Sequence, residues 1–213
     1  MMKKKWIGRL IFVVAVILLV GAIILTTKFV SSGDAALTNN DQGLDPKTWA
    51  QDNYATQVVP AIESKAQPWG DLVKAIEANA DAAGQQYGTR EEGANSYSFA
   101  TTITGTLAVG NFDELAIQSP DTPADVTVGF QTGPAITGSA LRDACGLANF
   151  GMFTNQTAYQ QASVELNNMV KQEVLANFDP TTAIGQRFTI TGAFTWTGSG
   201  HVTITPVSIE AAS

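Results

Sequence analysis

Residues 97–109, YSFATTITGTLAV, set the fold class. Tyr97, Phe99, Thr101, Ile103, Gly105, Leu107 and Val109 recur at every second position, and the residues between them are Ser, Ala or Thr. A period of two puts alternate side chains on opposite faces, so the stretch predicts a long, half-buried strand. Gly105 falls in its middle, where a strongly bent strand needs room for another backbone. Downstream, Gly110-Asn111 reads as a turn and Leu115 and Ile117 as a short second strand. After the SPDTPA loop, Val126, Val128 and Phe130 alternate in a third.

The period then changes. Residues 138–156, GSALRDACGLANFGMFTNQ, form a glycine-broken connection into a helix from about Gln156 to Asn177. Tyr159, Ala162, Leu166, Met169, Val170 and Val174 make its apolar stripe. Phe188, Ile190, Phe194 and Trp196 alternate in a fourth strand, TGSG turns, and Val202 and Ile204 alternate in a fifth. Past Pro206 the apolar set shifts to Val207 and Ile209, a one-residue phase change that predicts a bulge or break at the proline. Three strands, a helix and two strands predict a mainly β, α+β fold: an OB-like five-stranded barrel with its helix between strands 3 and 4.

A helical section precedes the barrel. Asp45-Pro46 is a helix start, with Asp as cap and Pro in the first turn. Trp49, Tyr54, Val58, Val59 and Ile62 follow at helical spacing, and Pro60 and Pro68 should kink or divide the segment. A second helix is expected from Asp71 to Ala83 and a loop from Gly84 to Asn95.

Lys3, Lys4, Lys5 and Arg9 precede an uncharged run, Leu10 to Thr27, closed by Lys28. As a helix that run is about 27 Å long against a hydrocarbon core of about 30 Å. The basic flank places the N-terminus in the cytoplasm. Residues 1–30 are therefore expected to be a signal-anchor transmembrane helix, contacting the membrane through residues 6–27, with a cleaved signal peptide as the alternative. Residues 31–44 read as a linker and 45–213 as the extracytoplasmic domain: 45–95 helical, 96–213 barrel.

All 19 acidic residues but only seven of the 12 basic ones lie from Asp34 onward, a balance of −12. From Tyr97 onward nine acidic residues face three basic ones (Arg142, Lys171, Arg187), so no nucleic-acid partner is expected despite the barrel. The single cysteine, Cys145, cannot form an internal disulfide and sits among apolar neighbours as an inert thiol. His201, the single histidine, has no ligand-like spacing around it; it reads as a hairpin-edge residue, and no metal or cofactor is expected. Asp113-Glu114 reads as a solvated turn, and without an activated Ser or Cys arrangement no catalysis is expected.

The residues for a ligand or partner are Arg142 and Asp143, a donor fork beside a carboxylate, with Asn155, Gln156 and Trp196. The competing reading makes them architectural: Arg142 and Asp143 lock the connection to the helix start, and Thr154 or Asn155 caps the helix. The tryptophans discriminate. Exposed indoles near Arg142 favour ligand binding, whereas buried ones favour a scaffold.

The 138–167 segment GSALRDACGLANFGMFTNQTAYQQASVELN, with LDPKTWAQDNYATQVVPAIESKA before it and GQRFTITGAFTW and VTITPVSIE after it, resembles a family of uncharacterised bacterial predicted periplasmic lipoproteins. The resemblance covers about residues 44–210. It implies an OB-like barrel behind a helical section, on the outside of the cytoplasmic membrane, in proteins often encoded beside sugar-type ABC transporters. This chain lacks a cysteine just after its apolar run, which makes the transmembrane helix the expected anchor. The expected function is a non-enzymatic, membrane-anchored accessory or scaffold with an envelope partner such as ABC transporter components. The alternative is a small-ligand module for a sugar or nucleoside; a nucleic-acid-binding barrel is least expected.

Overall fold

The computed structural model describes residues 43–91, 93–198 and 200–212, within a unit spanning Asp41–Ser213. The expected anchor at 1–30 and nearly all of the linker lie outside the described residues. No helix among the described residues is long and apolar enough to cross a membrane.

Five strands close a barrel: β1 Ser98–Val109, β2 Glu114–Gln118, β3 Thr127–Gln131, β4 Arg187–Thr195 and β5 His201–Ala211. The first is long enough to serve two neighbours. Residues Ser98 to Thr106 pair antiparallel with β4, and Thr106 to Val109 pair with β2. β2 pairs antiparallel with β3, β3 pairs parallel with β5, and β5 pairs antiparallel with β4. The circuit β1-β2-β3-β5-β4 returns to β1 and leaves no open edge between these strands. At the bend in β1, a Cβ on Gly105 would lie 2.5 Å from the carbonyl oxygen of Gln118, so only glycine permits the approach.

The alternation read in β1 holds for Phe99, Ile103 and Leu107, all buried in the barrel. It fails at both ends. Ser98 and Ala100, on the opposite face, are buried as well, because helices cover the outside of the sheet there. Val109, expected inside, is exposed, since the barrel core ends at Leu107.

Two cores result. Inside the barrel, Phe99 stacks on Phe194 at 5.5 Å among Ile103, Leu115, Phe130, Ile190 and Ile204. Trp69, Leu72, Val73 and Ile76 from α3 (Trp69–Ala78) close this core. The second core lies on the outer face of the sheet. Ala100 and Ala193 pair directly across β1 and β4, and two such small residues let helices pack close. Against them lie α1 (Pro46–Asn53), α2 (Val59–Lys65), α5 (Ala140–Cys145) and α6 (Gln156–Glu173).

Local signals explain the helical section. Asp45 caps α1, its Oδ1 accepting from the Thr48 amide at 2.8 Å. A π-helical turn, Tyr54–Val58, separates α1 from α2, so Pro60 falls in a first turn where its missing N–H is tolerated. Gln67–Pro68 is a two-residue strand beside β1. The single helix expected over 71–83 is instead two, α3 and α4 (Ala80–Tyr87). Asn79 is extended between them, and its side chain accepts from the Ala82 amide to start the second. The expected loop from Gly84 is helical to Tyr87, and Gly88–Thr89 then adds to β1.

The connection between β3 and β4 carries more helix than expected. Besides α6 it holds α5, a 3-10 turn at Phe150–Met152 and α7 (Pro180–Ala183). Helix α6 ends at Glu173 rather than near Asn177. The phase change at Pro206 is a β-bulge: Thr191 faces Ser208 and Gly192 faces Pro206, which leaves Val207 over.

Candidate functional site

Helix α5 brings Arg142 into the outer core, 5 % exposed, and Gly146 in the left-handed region (φ 69°) ends the helix. The guanidinium is engaged on several sides. Nη2 meets Asp143 Oδ1 at 2.7 Å, and Nε donates to the same oxygen at 2.8 Å. Nη1 donates to the Tyr159 carbonyl at 3.1 Å, and the group lies 3.6 Å from the Tyr159 ring centre. Ser139 Oγ donates to Asp143 Oδ2 at 2.7 Å. Adjacent side chains face opposite sides in a strand, but Arg142 and Asp143 sit on a helix and can pair. Burial, partly offset by Arg142, pushes the Tyr159 phenol up to about 12. Its hydroxyl donates to Glu91 Oε2 at 3.2 Å.

Lys65 donates to the carbonyls of Ala144 and Cys145 at 3.2 and 2.7 Å, satisfying the end of α5. Cys145 is buried, and burial pushes its thiol up. The other expected site residues divide. Gln156 lines a cleft of about 360 Å³ with Arg142 and Asp143. Asn155 caps α6, accepting from the Ala158 amide at 2.9 Å. Trp196 lies apart, half-buried against the barrel core. Trp49 is 7 % exposed against Phe153, and Trp69 is 2 % exposed with its indole N–H donated to Thr122 Oγ1. Among the described residues, no indole lines the Arg142 cleft.

A second cleft, of about 460 Å³, was not legible in the sequence. It lies where the β1–β2 turn meets β3 and β5. Glu114, read as a solvated turn residue, opens β2 and sends its carboxylate across β3 to β5. There Oε2 meets His201 Nε2 at 2.9 Å and Oε1 accepts from Thr203 Oγ1 at 2.7 Å. The crossing depends on Gly129, which pairs with Thr203: a Cβ there would lie 2.6 Å from Glu114 Oε2. His201 opens β5 at the hairpin end, as its sequence position suggests, and is held there by a carboxylate. Gln131 donates to the Thr137 carbonyl at 3.0 Å and Thr205 Oγ1 at 2.8 Å, and accepts from the Thr137 amide at 2.7 Å.

Gly129→Ala is expected to push the Glu114 carboxylate aside, shift the resonances of the chain's one imidazole and lower stability by about 1 kcal/mol. An unchanged imidazole NMR spectrum would rule out the crossing.

His201 Nδ1 also lies 2.8 Å from Thr127 Oγ1, a hydroxyl–imidazole–carboxylate line absent from the sequence reading. The same hydroxyl also donates to the Gly200 carbonyl at 3.2 Å, so that oxygen competes with the imidazole for its one proton. Among the described residues, no group of three or more His, Cys, Asp or Glu is placed to hold a metal ion.

A closed five-stranded barrel in the order 1-2-3-5-4, with helices between strands 3 and 4 and clefts on its outer surface, is an OB-like fold. The chain belongs to the family described as predicted periplasmic lipoprotein (DUF2291), which it matches over residues 12–210. That description implies a membrane-associated, extracytoplasmic location. Among solved structures it is similar to an OB-fold protein (TM0957) from Thermotoga maritima MSB8, with a TM-score of 0.66 and 17 % sequence identity. The similarity covers 80 % of this chain and 99 % of that one, and at this identity it speaks for the fold alone. No curated protein matches the chain.

Proposed function

We propose that the protein is a non-enzymatic accessory or scaffold protein, anchored through residues 6–27 with its N-terminus inside and the barrel outside the cytoplasmic membrane. Its partner in this reading is an envelope protein such as a component of a sugar-type ABC transporter. The observation that carries the reading is how the recognition residues are spent. Arg142 is buried and holds Asp143 and Tyr159, while Trp49 and Trp69 are core residues. A ligand site built on these groups would have to break the packing that makes the domain. The −12 balance from Asp34 onward opposes nucleic acid as a partner.

Photo-crosslinking residues at Phe150, just before α6, and Val164, on it, both apolar side chains left exposed, test the reading in full-length protein in its native membrane. The expected result is a position-dependent adduct with a transporter or solute-binding component, identified by mass spectrometry. Adducts with the chain itself and nothing else would sink the proposal.

A further inference from the structure

We propose that the cleft between the β1–β2 turn and β5 binds a small, neutral, polyhydroxylated molecule of about one sugar ring. This goes beyond the accessory reading and does not depend on it. The volume, about 460 Å³, lies within the range that encloses small ligands.

The walls select a donor-rich guest. Ser139, Thr137 and Thr203 line the cleft, and each hydroxyl donates its one proton to the protein, to Asp143, Gln131 and Glu114 respectively. A hydroxyl that has given its proton away keeps lone pairs that accept. Asp113 adds a carboxylate whose Oδ1 is buried with no hydrogen-bond partner among the described residues. An unpaired buried acceptor of this kind costs the fold free energy. Because Asp113 also lines the cleft, a turn of its side chain would bring that oxygen to a ligand hydroxyl. The backbone of Asp113 is in the left-handed region (φ 64°), the one such non-glycine among the described residues. Its carbonyl is pinned by the Thr132 amide at 2.8 Å, so the strained turn is held in place.

Charge and shape narrow the class further. Asp113 and Glu114 line the cleft and, among the described residues, no Lys or Arg does, which repels phosphates and carboxylates. Both oxygens of Glu114 are committed to His201 and Thr203, so an ammonium would meet one carboxylate rather than a pair. Phe112, 89 % exposed at the cleft, offers a flat apolar face to the C–H side of a sugar ring.

The test uses the full chain in lipid nanodiscs, because glycoside detergents would compete. Saturation-transfer NMR is run with D-ribose, D-galactose and myo-inositol, with glucose 6-phosphate and putrescine as the anionic and cationic probes. At least one neutral polyol is expected to bind, with Asp113→Asn and Phe112→Ala each weakening it about tenfold. Asparagine tolerates the left-handed backbone, and Phe112 is exposed, so both variants should fold. The proposal is overturned by no polyol binding at about 10 mM, by preference for the phosphate or the amine, or by binding that neither variant changes.

Discussion

Arg142→Ala is expected to destabilise the domain by about 3 kcal/mol or more, since it removes one partner from a buried ion pair. The side chains of Arg142 and Asp143 are 5 % and 17 % exposed, so alanine leaves the carboxylate largely out of water with only Ser139 as donor. The Tyr159 carbonyl loses the Nη1 bond in the first turn of α6, and the ring loses the stacked cation. Each loss points the same way, and α5 would no longer be locked to α6. In a domain of this size the change lowers the melting temperature by about 10 °C. Arg142→Lys should recover little, because a single ammonium cannot serve Asp143 and the Tyr159 carbonyl with the geometry of the fork. Urea unfolding of the three proteins measures this directly. A midpoint for Arg142→Ala equal to that of the parent would remove the architectural role and reopen Arg142 as a ligand residue.

Gly192→Ala should cost about 3 kcal/mol or more, as overpacking against backbone does at its upper end. An added Cβ would press into the Thr205 carbonyl oxygen, with Ile204 Cγ2 at 2.7 Å and Pro206 Cα at 2.9 Å. Two of the three obstacles are backbone and cannot swing away. Gly192 sits at the bulge where β4 and β5 slip by one residue, so relief requires opening the strand pair. Loss of β4–β5 amide protection in hydrogen exchange, ahead of β1–β2, is the expected signature. An alanine variant with the parent's stability and exchange pattern would show that the close approach at the bulge is not there.

The parts legible from sequence were those with local causes. The period of two in 97–109, the cap at Asp45, the cap at Thr154 or Asn155 (Asn155 in the structure) and the phase change at Pro206 each read out within a few residues of where they act. The Asn79 break also had a local signal, a capping residue before a short polar helix, which the apolar spacing over 71–83 masked. Helix α5 escaped because six residues between glycine-bearing segments are too few for a period to show.

The second cleft escaped for a different reason. Glu114 and His201 are 87 positions apart and meet only because β3 and β5 run parallel and Gly129 leaves a gap between them. Nothing near either residue encodes that meeting. Of the expected site, Arg142, Asp143 and Gln156 do gather at one cleft, while Asn155 is spent as a cap and Trp196 belongs to another face.

Arg142 holds the structure and Asp113 serves the proposed recognition, and one experiment separates the two: thermal unfolding of Arg142→Ala beside Asp113→Asn in the full-length protein. Arg142→Ala should melt about 10 °C lower, whereas Asp113→Asn, which replaces a carboxylate with an unpaired buried oxygen by a neutral amide that costs less to desolvate, should melt at or above the parent's temperature. Equal losses in both variants, or a loss confined to Asp113→Asn, would contradict the account.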